Sequence, residues 1–319
     1  MKMKIKGSGL ADGIPEENNS WERNMLEKLL LEVYREQRRN RIWRWFWRLF
    51  WLFIIIIVIT SLGSAKPSGA HTAVIDLDGV ISSDNNQADL LRKSLKEAYK
   101  NSDVKGIIIR ANSPGGSPVI SSIAYEEIRH LKAEHPRIPL YVVTEDMCAS
   151  GCYYIASAAD KIYADPSSLV GSIGVIGSSF DFTGLIDKLG IKRRVKIAGI
   201  NKDMGDPFVP ETPEQAAIWQ QMLSSIHQQF IQAVQQGRGN RLKIADNPDI
   251  FSGRAYTGEE AKAVGLIDDF GNVYTVARNV IKAPELVDYT AETGWSKRLG
   301  KSIGSTLQQN IQGMTNKPW

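Results

Sequence analysis

The feature that most constrains this chain is an uncharged run of fourteen residues, Leu49 to Leu62, inside "WFWRLFWLFIIIIVITSLGSA". No such run can be left in water, and a bilayer crossing needs about 20 apolar residues. The aromatic stretch before it, with Arg48 reaching back to the interface, supplies the missing length. Trp43, Trp45, Trp47 and Trp51 form a belt at one end. The reading is an uncleaved membrane anchor. A cleaved leader ending near "GSA" is the alternative, but more than forty residues precede the apolar core, too many for a leader's basic head.

Charge sets the direction. Arg35, Arg38, Arg39, Arg41, Arg44 and Arg48 lie before the span with only Glu36 among them, and Lys66 is the one nearby base after it. The positive-inside rule then places the N-terminus in the cytoplasm and everything past Ala65 outside. A net charge of +4 over 319 residues gives no reason to expect a nucleic-acid partner. Before the span, Met25, Leu26, Leu29, Leu30, Val33 and Tyr34 recur at helical spacing, and Asn19 with Glu22 fits a capping box. This predicts an amphipathic helix on the inner membrane face, with a short coiled coil as the alternative.

Beyond the linker "KPSGAH" the pattern alternates. "TAVIDLDGVI", "VKGIIIRANS", "IPLYVVTE", "KIYAD" and "SLVGSIGVI" read as strands. "NQADLLRKSLKEAYKN", "SSIAYEEIRHLKAE", "GCYYIASAA" and "FTGLIDKLG" read as helices. "IKRRVKIAG" reads as a strand, Pro213–Arg238 as a long helix, "TGEEAKAVG" as a helix and "LIDDFG" as a short strand. Such alternation predicts an α/β domain with mostly parallel pairing, whose sites lie where strands end and helices begin.

Two of those junctions carry unusual chemistry. "NSPGGS" places Gly115 and Gly116 after a buried strand and before a helix, where backbone N–H groups suit an anion or a developing oxyanion. It is neither a P-loop nor a dinucleotide fingerprint, and an ordinary Pro-Gly turn is the plain reading. "TEDMCASGCYYIASAAD" places Ser150 on a strand-to-helix turn with Gly151 after it. A serine there resembles a nucleophile elbow without its usual sequence, and a tightly packed junction is the alternative. Cys148 and Cys152 are too few and wrongly spaced for a disulfide framework, a thioredoxin-type site or a structural zinc site, and read as small buried thiols.

A serine nucleophile needs a base. His71, His130, His135 and His227 form no evident Ser-His-Asp arrangement. A lysine can serve when an apolar pocket favours its neutral amine. Lys202, in the glycine-rich apolar loop "AGINKDMGDPF", is the candidate, with Asp203 beside it.

"RANSPGGS", "MCASGCYYIASAADKIYADPSSLVGSIGVIG", "NKDMGDPF" and "FSGRAYTGEEAKAVGLIDDFGN", in that order, resemble the signal peptide peptidase A (SppA) family. The resemblance covers roughly residues 72 to 277. It implies a ClpP/crotonase-like α/β domain of mostly parallel sheets and flanking helices, preceded by one transmembrane helix. By resemblance, Ser150 is the nucleophile, Lys202 the general base and Ser172 the hydroxyl that holds the lysine amine. Gly115 with the N–H of Gly151 would form the oxyanion hole, with Gly116 as a further candidate. No cofactor or metal is implied. The implied substrates are remnant signal peptides and other membrane-associated peptides, and the implied assembly is a homo-oligomer whose sites can involve neighbouring protomers. The expected location is a bacterial cytoplasmic membrane, single-pass, with the peptidase domain in the periplasm or outside the cell. The expected layout is a disordered 1–18, a cytoplasmic amphipathic helix over 19–40, the anchor over 41–65, the peptidase domain over 66–288 and a polar tail over 289–319. A catalytically silent scaffold and a crotonase-like acyl-CoA enzyme are the competing readings.

Overall fold

The computed structural model describes residues 17–62, 69–84 and 86–291. The expected disordered N-terminus and most of the polar tail lie outside them. The chain divides into two units, one holding residues 1–65 and the other the α/β domain.

The first unit is one helix, α1 (Glu17–Leu62), of 46 residues. The two segments separated in the sequence are thus one continuous element. Its aromatic residues meet at helical spacing: Trp43 on Phe46 at 5.6 Å, Trp47 on Phe50 at 5.4 Å. The Arg48 guanidinium lies over the Trp45 ring at 5.8 Å. Among the described residues no helix is long and apolar enough to cross a membrane. The run from Leu49 ends at 58–62, whose side chains fall outside the described set.

The second unit begins with β1 (His71–Asp78), α2 (Gln87–Lys100), β2 (Val104–Ser113), α3 (Pro118–Glu134), β3 (Leu140–Ala149) and α4 (Gly151–Ala156). It continues with β4 (Lys161–Ala164), β5 (Leu169–Gly171), α5 (Thr183–Lys188), α6 (Pro213–Arg238), β6 (Ala255–Thr257) and α7 (Gly258–Val264). It closes with β7 (Asp269–Phe270), α8 (Val273–Thr275), a π-type turn over Val276–Ile281 and β8 (Leu286–Asp288). The sheet order is β6-β5-β3-β2-β1-β8, with β4 on β3 and β7 on β4. Every pairing is parallel except β5 with β6.

The isoleucine run explains the layering. Ile107, Ile108 and Ile109 are all fully buried, as a parallel strand covered on both faces requires. Ile107 and Ile109 join the larger core with Leu91, Leu95, Ala98 and Ile128 from α2 and α3. Ile108 turns the other way, to Val74, Val143, Tyr163 and Val273. Aromatic contacts then bind α3, α4 and α6: Tyr125 meets Tyr154 edge-on at 5.4 Å, and Tyr154 stacks on Phe230 at 4.9 Å.

β3 forks, and the fork sets the site. Its first half, Tyr141–Thr144, pairs with β4, and its second, Met147–Ala149, pairs with β5. Ser150 therefore emerges between the end of β2, where Ser113 pairs with Cys148, and the end of β5, where Gly171 pairs with Ala149.

Three expectations differ from the structure. "SLVGSIGVI" is strand only through Gly171, because Ser172 turns to φ 51 and the chain leaves the sheet. "IKRRVKIAG" forms no strand: among the described residues no neighbour offers it a ladder, and a strand needs a partner. The chain past β8 is not loose at its start. Tyr289 is buried, its hydroxyl accepting from Asn101 Nδ2 at 2.7 Å and meeting the ring of His71, itself buried in β1 rather than in a linker.

Candidate active site

The two junctions singled out in the sequence meet at one point. A Cβ added to Gly115 would lie 2.8 Å from Ser150 Cβ and 2.6 Å from Gly151 N, so only glycine fits beside this turn. A Cβ on Gly116 would lie 2.1 Å from the carbonyl oxygen of Ile81. Gly115 and Gly116 have φ of 95° and 150°.

Ser150 sits at φ 52, ψ −123, half-buried, immediately before α4. This is a conformation that a residue with a side chain holds only when its surroundings enforce it, at a cost of about 1–3 kcal/mol. Its N–H donates to Gly171 O at 2.8 Å, and its carbonyl accepts from Tyr154 N at 3.0 Å. A second non-glycine residue at positive φ, Ser172, follows the carbonyl that Ser150 uses, and its own N–H donates to Arg254 O at 2.9 Å.

Backbone donors converge here. Gly115 N donates to Ser113 Oγ at 3.1 Å, and that hydroxyl donates to Gly79 O at 2.5 Å. The Gly115 N–H is therefore engaged. No hydrogen bond takes the Gly116 N–H among the described residues, and Gly116 is exposed. Gly151 is the first residue of α4, where an N–H has no partner within the helix. Gly116 N lies 3.2 Å from the position of a Cβ built on Gly151, so the two free donors are neighbours.

Lys202 is not joined to this turn by any hydrogen bond among the described residues. It is exposed, in the turns between α5 and α6, with its N–H on Gly199 O at 3.0 Å. No hydrogen bond links its amine to Ser150 among the described residues. Its neighbour Asp203 is engaged by Gln215 Nε2 at 3.1 Å. The whole segment from Gly174 to Pro210 is thinly packed: α5 buries no residue, while Ile176, Phe180, Leu189 and Ile200 are 92%, 76%, 64% and 77% exposed. Phe180, Phe182 and Phe208 stack on one another along it.

No histidine bonds the Ser150 hydroxyl among the described residues. His227 comes nearest in connectivity, its Nε2 at 3.0 Å from Ile173 O, one residue past Ser172. His135 stacks on Tyr99, and His130 lies against Glu134. A hollow of about 750 Å³ opens on the second face of the sheet, walled by Val74, Arg110, Val143, Asp146, Val273 and Leu286, and Ser150 is not part of it.

The sequence reading missed two members of this neighbourhood and misread a pair. Ser113 fixes the glycine turn, and only its place one residue before Pro114 hinted at it. Gly171 supplies the carbonyl that holds Ser150, and a glycine at the end of a strand carries little signal alone. Cys148 and Cys152 form a disulfide, with Cα atoms 5.1 Å apart, across the two sides of Ser150. The sequence reading of two small buried thiols is thus corrected: both are buried, but their sulfurs are joined to each other.

The chain is similar to several known proteins. The profile of Peptidase family S49 matches residues 132–286. A putative protease of Methanocaldococcus jannaschii is 33% identical over 247 residues, covering 74% of this chain and 78% of that protein. A putative signal peptide peptidase SppA of Enterococcus faecium is 32% identical, covering 61% of this chain and 56% of that protein. A Brucella melitensis protein named Na(+)/H(+) antiporter NhaA is 45% identical over 184 residues. That match covers 58% of this chain but spans only 25% of the antiporter's length. Among solved structures, a membrane-bound stomatin-specific protease in complex with a substrate peptide matches 74% of this chain and 99% of its own, at 15% identity and a TM-score of 0.47.

Proposed function

Because this chain belongs to peptidase family S49 and is a serine peptidase, we propose that it is a membrane-anchored endopeptidase acting through Ser150 and Lys202. Its substrates are remnant signal peptides and other peptides left at the membrane. The observation that carries this reading is the strained Ser150 turn, set against the two free donors of Gly116 and Gly151.

Ser150 Oγ attacks the scissile carbonyl, and an uncharged lysine amine takes its proton. The carbonyl oxygen, now negative, is held by the Gly116 and Gly151 N–H groups, since the Gly115 N–H is already bonded to Ser113. The proton passes to the leaving amine as the peptide bond breaks, and water then releases the acyl group from Ser150. Ser172 is the hydroxyl that orients the amine.

Lys202 reaches a serine in a second copy of the chain. An exposed loop flanked by Ile176, Phe180, Leu189 and Ile200 is an apolar surface that a neighbouring protomer would cover. Covering it removes water, and desolvation favours the neutral form of an amine. The domain is of the ClpP/crotonase type, in a homo-oligomer.

The anchor is the apolar end of α1, with the arginine-rich side in the cytoplasm and the peptidase domain outside a bacterial inner membrane. A buried disulfide fits that side, where thiols are kept oxidised. Ser150→Ala and Lys202→Ala are each expected to abolish hydrolysis of a signal-peptide substrate by the assembled protein. Turnover retained in purified Lys202→Ala eliminates the dyad, and a protein whose Ser150 resists an active-site phosphonate is a scaffold.

A further inference from the structure

The turn that carries Ser150 is closed by a covalent bond for which the peptidase chemistry has no use. Cys148 is the penultimate residue of β3 and Cys152 the second residue of α4, and both are wholly buried. Their disulfide closes a five-residue ring with Ser150 at its midpoint. The bond therefore ties the end of a strand to the first turn of a helix, across a residue whose backbone is held at positive φ.

The other ties on that residue are weaker. One is the hydrogen bond to Gly171 O, at the end of a three-residue strand where the chain is about to leave the sheet. The other is the bond from Tyr154 N within α4 itself. Neither fixes the angle between strand and helix. As a global staple the disulfide is poorly placed, because a cross-link that closes so short a loop removes the least entropy from the unfolded chain. As a local clamp it is well placed.

Resting on the reading of Ser150 as nucleophile, we infer that the Cys148–Cys152 disulfide is a positioning element for that serine, and that the dithiol form of the chain is a poor catalyst. Closing the ring takes two protons and two electrons from the thiols. A disulfide oxidant such as oxidised glutathione accepts them and leaves as two thiols. The peptidase would then gain full activity only once its domain has reached an oxidising compartment.

The test compares the full-length protein with its Cys148→Ala/Cys152→Ala variant. The expected result is a kcat roughly ten- to a hundredfold lower, matching release of the enforced backbone, with KM within about twofold. Labelling of Ser150 by a phosphonate should slow in parallel. In the native chain, dithiothreitol should lower activity in step with the appearance of two alkylatable thiols, and oxidised glutathione should restore it. An unchanged kcat in the double variant, or in enzyme shown to be fully reduced, overturns the inference even if the melting temperature falls. Should the double variant fail to assemble, reduction of the native chain decides. Ser150→Ala in the same assay separates the two claims: turnover there refutes the nucleophile and leaves the clamp without a function.

Discussion

Mixing two dead enzymes should revive one. Ser150 sits just past the end of β3, while Lys202 is exposed in a thinly packed segment with no bond to it among the described residues. If the amine comes from a neighbour, each site takes its serine from one chain and its lysine from the next. A Ser150→Ala chain still donates a good lysine, and a Lys202→Ala chain still presents a good serine. In a closed ring built at random from equal amounts of the two, a site works when both intact halves meet. Each half is intact with even odds, so about one quarter of the sites recover. The assay is hydrolysis of a fluorogenic signal-peptide substrate by the two tagged variants, refolded or expressed together, with mixed assemblies captured through both tags. Phosphonate labelling should then appear only on the Lys202→Ala chain. Mixed assemblies with no activity would place the serine and lysine within one chain and refute the shared site. Recovery well above one quarter would show that the copies do not mix at random or that one lysine serves more than one serine.

Two further perturbations probe the frame around the site. Ser113→Ala removes the hydroxyl that joins Gly115 N to Gly79 O, so the glycine turn loses its brace. The expected result is a kcat about tenfold lower with KM little changed, since displacing a donor costs less than deleting it; equal losses in folding and activity would assign Ser113 a structural role only. Asp268→Asn tests the buried pair beneath α4. Arg238 has no exposed side chain, and its Nη1 lies 2.6 Å from Asp268 Oδ2. Burial acts to raise the Asp268 pKa, but the hydrogen bond and charge of Arg238, the Ile162 N–H and Arg241 outweigh it and hold the carboxyl below its usual range. A depressed carboxyl stabilises the fold above its unfolded pKa, and that stability is lost as pH falls below about 4 and through the folded value. The variant should lose about 3–5 kcal/mol by leaving a buried guanidinium unpaired, and denaturant titrations across pH should show a flatter acid limb.

The sheet was legible because its strands are buried on both faces. Runs such as Gly106–Ile109 and Leu140–Val143 have no polar face to blur them, so their limits are set by composition. β8 was not legible: Leu286–Asp288 is three residues long, and only its parallel register on β1 makes it a strand. The segment from Ile191 to Gly199 failed in the opposite sense. Its alternation of apolar and basic residues is real, but among the described residues it has no ladder partner. A strand pattern without a partner and an apolar surface without a cover fall on the same segment, the one that carries Lys202.

That coincidence bears on how a serine and a lysine can be read from one sequence at all. The glycines at 115, 116 and 151 and the forced turn at Ser150 are local facts, each fixed by a contact within a few ångströms. A reading from residues can reach them because short-range sterics leave glycine as the only solution. Lys202 differs in kind: nothing in its own loop prescribes a task, and its neighbour Asp203 is already engaged by Gln215. Its role is fixed only by whatever surface closes over it. An exposed amine is a poor base because water favours its charged form. The same chain could thus remain inert as a monomer and become a peptidase on assembly, so activity should rise more steeply than linearly with protein concentration near the assembly threshold. A monomeric, fully active preparation would break that link between the apolar segment and the chemistry.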